Sequence, residues 1–590
     1  MTAPARYSYR LGFGAEIAGD KTHFRFWAPG VASVTLQLRD GDDVPMHRQK
    51  DGWFTAQAPA PAGTRYKYRL PDGASVPDPA SRLQDGDVHG WSVVFDPRAH
   101  EWHHTGWRGR PWHETVLYEL HPGLMGGFSG IAAQLPRLAA LGITAVELMP
   151  INEFPGARNW GYDGVLPYAP DSSYGTPGEL KTMIDRAHGL GLMVFLDVVY
   201  NHFGPDGAYQ HVYGKDTFFH PDKHSPWGAA IAHERPEVRA YFIQNALYWL
   251  REYRFDGLRF DALHAIDDPS FTPDLARGIR AGIEPGRHVH LVMETEQNRA
   301  SVIGPGLMDA QWADDTHHAL HVLLTGETEG YYQEYEAAAR LLARCMAEGF
   351  AFQGERTRKG HPRGEDSRAL PPTAFVIFLQ NHDQIGNRAL GERLSVLADA
   401  QALRAAQALL LLCPQIPLLF MGEEWGSRAP FLFFTDHHDE LAEQVRQGRR
   451  QEFAGFAAFA NPARRARIPD PNAIATYALS RPEPEEADAD SARHVHSLLA
   501  LRHRHIVPRL AGARSRGAEI LGEKAIMARW LMGDGSELAL FLNLAAGSVT
   551  VPLPAADSEA LFESHAGDAA RVAQGVLPGY CTVALLLARS

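Results

Sequence analysis

Apolar residues recur along this chain in two rhythms, and the change from one to the other divides it. Over the first hundred residues the rhythm is two. Phe24 and Phe26, then Val34, Leu36 and Leu38, alternate with polar neighbours across residues 23–38. Tyr66, Tyr68 and Leu70 alternate with Arg65, Lys67 and Arg69 ahead of the turn Pro71-Asp72-Gly73. This is the pattern of strands with one buried face, and short strands broken by Pro and Gly predict a β-sandwich. Its aromatics leave two readings open: a surface for a glycan, or a face packed on its neighbour.

From about residue 114, short apolar runs alternate with stretches of helical period. Ile131, Leu135, Leu138 and Ala139 fall on one helix face, and Leu180, Met183, Ile184 and Ala187 on another. The apolar runs lie at 116–120, 144–149, 193–200, 255–264, 291–294, 374–379 and 416–421, with a weaker one at 308–312. Alternation of this kind implies parallel strands with helical crossovers, and eight such runs predict a closed (β/α)8 barrel. The acidic, Pro/Ala-rich residues 483–491 read as a solvated loop and 494–505 as the closing helix. Strand patterns then return at 526–531, 538–542 and 582–587, around the turn Gly533-Asp534-Gly535. The expected division is a carbohydrate-binding-module-like β-sandwich over 1–105, a barrel over 106–510 and an antiparallel β domain over 511–590. No internal repeat interrupts it.

Composition narrows the function more than the fold. At 590 residues the chain exceeds what one core supports. Its net charge of −13, from 57 basic and 70 acidic residues without a Lys/Arg block, argues against nucleic acid or an anionic membrane as partner. Cys345, Cys413 and Cys581 are widely separated, with neither a disulfide framework nor a Cys-type zinc spacing. The first seven residues contain no apolar signal region and no later run is long enough to span a bilayer, so a soluble cytoplasmic protein is expected.

The chemistry lies where the barrel strands end. In Leu258-Arg259-Phe260-Asp261-Ala262, Arg259 and Asp261 share the charged face of an otherwise apolar strand. A structural ion pair would account for that. So would a carboxylate kept ionised by a guanidinium, as a glycosidase nucleophile must be. Three further runs also end in acids: Asp197 before Asn201 and His202, Glu294 before Glu296, and Asp383 after Asn381 and His382. Four acidic strand ends in the order Asp, Asp, Glu, Asp resemble the signature regions of the α-amylase superfamily of retaining glycosidases.

Finer motifs resemble, within that superfamily, the maltooligosyltrehalose trehalohydrolases. They are Asn159-Trp160-Gly161-Tyr162-Asp163-Gly164, Trp312-Ala313-Asp314-Asp315-Thr316-His317-His318, residues 325–332, residues 380–394 and residues 434–456 with Thr435-Asp436-His437-His438. Branching and debranching enzymes, the alternative, do not usually carry the Asp-Asp-x-His-His stretch or the Gly-Asn-Arg that follows Asp383.

The resemblance implies Asp261 as nucleophile, Glu294 as acid/base and Asp383 as transition-state stabiliser. It also implies Asp197, His202, Arg259 and His382 around the reacting glucose. Asp314, Asp315, His317, His318, Gln384 and Asn387 are implied near the substrate, and Trp160 and Tyr162 are candidate stacking platforms. His264 either lines the leaving-group side or caps its loop. Glu296 is a rival acid on the same strand face, and Asp256 reads as a turn residue that starts the strand. The adjacent pairs His317-His318 and His437-His438 point to opposite sides, so no metal is expected. Asn201 matches a calcium-holding position of many amylases, but the loop after the third strand reads as short and calcium is left out. The implied reaction is hydrolysis, without cofactor, of the α-1,4 bond next to a terminal trehalose unit. Maltooligosyl trehalose and related α-1,4-glucans would be substrates, and a maltooligosyl trehalose synthase the metabolic partner.

Overall fold

A computed structural model of the protein describes residues 5–225, 227–358, 360–483 and 488–587. Its centre is a closed parallel barrel. The strands are Leu117–Leu120 (β1), Ala145–Leu148 (β2), Met193–Val198 (β3), Gly257–Phe260 (β4), His290–Met293 (β5), Ala310–Trp312 (β6), Phe375–Phe378 (β7) and Ile416–Phe420 (β8). Each matches a run singled out by its apolar pattern, β6 included, with β5 starting one residue before its run. Helices cross between them, and some are started by local chemistry. Pro177–Gly189, for instance, opens on Pro at its first position behind a capping box, in which Thr176 and Glu179 satisfy each other's backbone N–H groups.

The alternation of the strands sorts their side chains. Tyr118, Val146, Leu196, Leu258, Phe260 and Met293 face the helices in the main core. Leu117, Ala145, Met193, Phe195, Val292, Ala310, Trp312, Val376, Phe378, Ile416 and Leu418 fill the barrel as a separate cluster. Two residues further along the inward positions, these apolar groups give way to Glu119, Glu147, Asp197, Arg259, Asp261, Glu294 and Asp314. The barrel is thus dry at its N-terminal end and charged at the end where its loops begin.

Two β units flank the barrel. The N-terminal unit is a pair of sheets, one built on Lys21–Trp27 and Trp53–Ala58, the other on Thr35–Leu38 and Arg65–Arg69. Their core includes Phe24, Phe26, Leu36, Phe54, Tyr66 and Tyr68, with Phe26 stacked on Tyr68 at 4.3 Å. The same core takes in Tyr213, which comes from the barrel loop after β3. Most of the N-terminal aromatics are therefore packing residues. The C-terminal unit is a five-stranded antiparallel sheet of Arg514–Gly522, Ala525–Leu531, Glu537–Asn543, Cys581–Leu587 and Ser558–Glu563. Trp530, Leu540 and Ala584 join it to the barrel's main core.

Two local expectations need correction. The loop after β3 is long: it runs over residues 199–235 and carries its own hairpin, Phe219–Ser225 paired with Gly228–Ile231. The acidic stretch read as a solvated loop lies outside the described residues over 484–487. Beyond that gap, Asp488 caps a helix, Ala489–Leu501, so the closing helix starts five residues earlier than its apolar pattern indicates.

Candidate active site

β4 stops at Phe260, and the chain turns sharply through Ala262, a non-glycine residue in the left-handed region at φ 39° and ψ 47°. That conformation costs on the order of 1 kcal/mol for a residue with a Cβ. It sets Asp261 at the mouth of the barrel and aims the Ala262 N–H at Glu294 Oε2, 2.5 Å away. Glu294 directly follows β5, the neighbour of β4, in register with Asp261 by extension of the Phe260–Met293 pair.

Arg259 joins the acids. It is fully buried, with its guanidinium 4.3 Å above the Trp312 ring. Its Nη1 donates to Asp261 Oδ1 at 2.8 Å and to Asp197 Oδ2 at 2.7 Å, while Nη2 stands 3.8 Å from Glu294 Oε2. Asn201 donates to the other oxygen of Asp261 at 3.3 Å and fixes the ring of His202 through its own carbonyl oxygen at 2.8 Å. The hydroxyl of Tyr162 donates to Asp197 at 2.6 Å and accepts from His382 Nε2 at 2.8 Å. The Tyr162 and His382 rings stack at 5.2 Å. On its other nitrogen His382 is bound to Glu119, whose second oxygen takes the His382 backbone N–H at 3.1 Å.

Asp383 follows His382 in the short helix His382–Gly386, capped by Asn381. Its carboxylate reaches His382 Nε2 at 3.4 Å and accepts from Asn387 at 3.2 Å. Gln384 donates to Asp314 at 3.2 Å. Gly386 is a glycine because Trp160 lies against it: a Cβ there would stand 2.1 Å from the indole.

Carboxyl groups outnumber cations in this small buried volume, so several retain protons. Burial, reinforced by Glu119 and Asp197, pushes Glu147 well above the usual carboxylate range, and neither of its oxygens has a hydrogen-bond partner in the protein. Burial, then Glu294 and Asp383, does the same to Asp314. Glu294 is raised first by burial; Arg259 opposes, while Asp261 and Asp383 add to the rise. Burial works against a charge on His382, but Asp383 and Glu119 outweigh it and lift the imidazole to about 9. Burial depresses His202, which stays neutral.

The sequence-derived residues divide into two groups. Asp261, Glu294, Asp383, Tyr162, Asp197, His202, Arg259, His382, Asp314, Gln384 and Asn387 meet at the barrel mouth, as above. His264, in the turn Leu263–Ala265, lies close enough to lower Glu294. Trp160, Asp315 and His317 are set back. Trp160 is no open platform: it is buried against Phe431 with its N–H on the Leu432 carbonyl at 2.9 Å. Asp315 is buried under Asn298, Tyr335, Arg363 and the Ala351 N–H, which occupy both its oxygens. His317 spends its nitrogens on the Leu379 carbonyl at 2.5 Å and the Tyr332 hydroxyl at 3.1 Å. His318 is half-buried against Tyr331 and Tyr335, with Nδ1 unpartnered.

The rival acid Glu296 is exposed, whereas Glu294 is half-buried. Asp256 stands at the bend that leads into β4, as expected, and is also a buried anchor there, bound to Trp107, His188 and the Val194 N–H. Among the described residues no three His, Cys, Asp or Glu are grouped to hold a metal ion. Glu119 and Glu147 are members of the cluster that the sequence did not single out, and Asn201, weighed there only as a calcium position, instead donates to Asp261. A lone carboxylate at an inward position of an apolar run, the signal that picked out Asp197, marks both glutamates.

Known proteins carry the same architecture. Residues 80–227 match the alpha amylase catalytic domain, residues 12–99 carbohydrate-binding module 48 (isoamylase N-terminal domain), and residues 513–583 a domain of unknown function, DUF3459. The malto-oligosyltrehalose trehalohydrolase of Deinococcus radiodurans is 40% identical over 481 residues, covering 80% of this chain and 78% of the relative. The enzyme of the same name from Rhizobium sp. is 38% identical over 562 residues, 90% of this chain and 92% of its own. A 1.4 Å crystal structure of a Salmonella typhimurium protein described as an alpha amylase is 43% identical, covers 98% of this chain and 100% of its own, and superposes with a TM-score of 0.92. With that identity over most of its length and an α-amylase barrel closed around four acidic strand ends, the chain belongs to the malto-oligosyltrehalose trehalohydrolase family of glycoside hydrolases.

Proposed function

We propose that this protein hydrolyses the α-1,4-glucosidic bond next to the terminal trehalose unit of maltooligosyl trehalose, with retention, releasing trehalose and a shortened maltooligosaccharide. The observation that carries the reading is the pair Asp261 and Glu294, at the ends of adjacent strands and gathered by one guanidinium, Arg259. Retaining cleavage needs two carboxyl groups roughly 5–5.5 Å apart, one ionised and one protonated. Neighbouring strands about 4.8 Å apart suit that spacing.

In this reading the ionised Asp261, with both oxygens held, attacks the anomeric carbon. Glu294, raised by burial, gives its proton to the departing glycosidic oxygen. A glycosyl–Asp261 ester results, and Glu294, now a carboxylate, takes a proton from the water that opens it. Asp383 adds negative charge beside the developing oxocarbenium ion, and imidazolium His382 next to it keeps that carboxylate paired between turnovers. Water is the only co-reactant.

The catalytic unit would span about residues 106–510, between the units at 1–105 and 511–590, in the cytoplasm. A maltooligosyl trehalose synthase would supply the substrate. Cleavage or transfer at α-1,6 linkages is not favoured, because the relatives that match over most of this chain bear the trehalohydrolase name.

Incubation with maltotriosyl trehalose and with a branched glucan, followed by product analysis, tests the reading. Free trehalose from the first is expected; products from the branched glucan alone would refute it. The Asp261→Asn variant is expected to lose at least about a thousandfold in kcat while still binding glucan, since no other group takes over its bond to the sugar. Near-normal turnover in that variant would remove Asp261 from the role.

A further inference from the structure

β1 and β2 pair in register at Glu119 and Glu147, two residues beyond Leu117 and Ala145 of the dry barrel interior. Two glutamates therefore stand side by side where that interior turns polar, each 1% exposed. The site described above uses only one of them. Glu119 binds His382 through both its oxygens, whereas neither oxygen of Glu147 has a hydrogen-bond partner in the protein. For stability alone that is a poor arrangement. A buried carboxyl without a hydrogen bond is costly, and an apolar side chain of the same length would fill the space without that cost.

Glu147 is not alone in lacking a partner. On β3, the next strand, Asp197 Oδ2 accepts from Arg259 and Tyr162, but Asp197 Oδ1 is buried and unpartnered. On β4, Arg259 Nη1 donates to Asp197 and Asp261, while Nε and Nη2 are buried without a bond, Nη2 standing 3.8 Å from Glu294. Neighbouring strands thus present an acid, a carboxylate oxygen and a guanidinium edge, each short of a hydrogen bond. Burial first, then Glu119 and Asp197, favours the neutral form of Glu147, with Arg259 and His382 opposing. A neutral acid has an O–H to give, Asp197 Oδ1 can take one, and Arg259 has N–H groups free to donate. A buried water makes about three hydrogen bonds to groups that otherwise lack partners, and it spans gaps too wide for a direct bond.

We infer that Glu147, as a carboxylic acid, and Arg259 hold a buried water against Asp197 Oδ1, and that through this water Glu147 is a positioning residue for the hydrolytic site. The water passes the acid's hydrogen bond on to Asp197. Both Asp197 oxygens are then held, and the guanidinium keeps its aim between Asp261 and Glu294. Glu147 itself touches neither sugar nor reacting atoms. The inference rests on the reading of Asp261 and Glu294 as the hydrolytic pair.

Glu147→Met keeps the length of the side chain and removes its donor; Glu147→Gln keeps a donor in its amide. With maltotriosyl trehalose, kcat is expected to fall at least about tenfold in the Met variant, the effect of one hydrogen bond to a charged group. In the Gln variant it is expected to stay near the wild-type value. The Met variant is also expected to melt at or above the wild-type temperature, since an apolar group replaces a buried carboxyl. Wild-type turnover in the Met variant, equal loss in both variants, or joint loss of stability and activity in the Met variant would overturn the inference. A difference infrared spectrum, wild type minus Glu147→Gln at neutral pH, reads the acid without turnover. The carbonyl stretch of a protonated carboxyl is expected in it, and a carboxylate band in its place would also overturn the inference. Wild-type protein that releases no trehalose would instead sink the hydrolase reading and leave the infrared result standing.

Discussion

Asp261 reaches the cleft with one oxygen held by Arg259 and the other by Asn201, and the two contacts differ in kind. The guanidinium supplies charge, whereas the amide supplies only direction. Asn201→Ala is therefore expected to lower kcat roughly tenfold to a hundredfold, the effect of a small misalignment, and to move KM little. Steady-state kinetics on maltotriosyl trehalose check this. His382 makes a different prediction. Its imidazole titrates near 9 in the fold, against roughly 6.5 when unfolded. The stability it contributes is thus complete below about pH 6.5 and is lost as pH rises through about 9. Denaturant midpoints across that window should fall less steeply in Glu119→Gln, which removes one of the charges that raise it. At this scale the strand-end acids were legible because inward parity and charge type coincide. Trp160, Asp315 and His317 were not, since residue type does not say whether a buried partner already occupies its polar atoms.

Elements were legible in proportion to their periodicity. All eight barrel strands follow their apolar runs, but β4 ends at Phe260, because the left-handed turn at Ala262 has no marker such as glycine. The hairpin after β3 escaped because its first strand, Phe-His-Pro-Asp-Lys-His-Ser, has no apolar alternation. The short helix His382–Gly386 offers a test of packing as a positioning device. Gly386→Ala forces a methyl group into Trp160, and overpacking of this kind costs about 1–3 kcal/mol. A lower denaturant midpoint is expected, together with a lower kcat as Asp383 is carried out of line. Full activity with wild-type stability would show that the indole yields freely.

Across the whole molecule, the joint between barrel and N-terminal unit is two-way: Phe13, Trp27 and Val88 enter the main core, and one barrel residue is buried in the N-terminal core. Tyr213 stands 4.7 Å from Phe26, and its carbonyl accepts the Gly30 N–H at 2.8 Å. Truncating such an aromatic costs on the order of 3 kcal/mol. Tyr213→Ala is expected to split the calorimetric unfolding of the protein into two transitions, the N-terminal sheets melting first; a single unshifted transition would contradict this. The three-part division was readable from the change of rhythm along the chain. The joint was not, because a tyrosine in a polar loop gives no sign of whose core it enters. That graft makes the sandwich a strut rather than a passenger. Any sugar that steadies the loop must also raise the melting temperature of sheets it never touches, and whatever loosens those sheets must weaken the grip of a cleft on the other side of the graft.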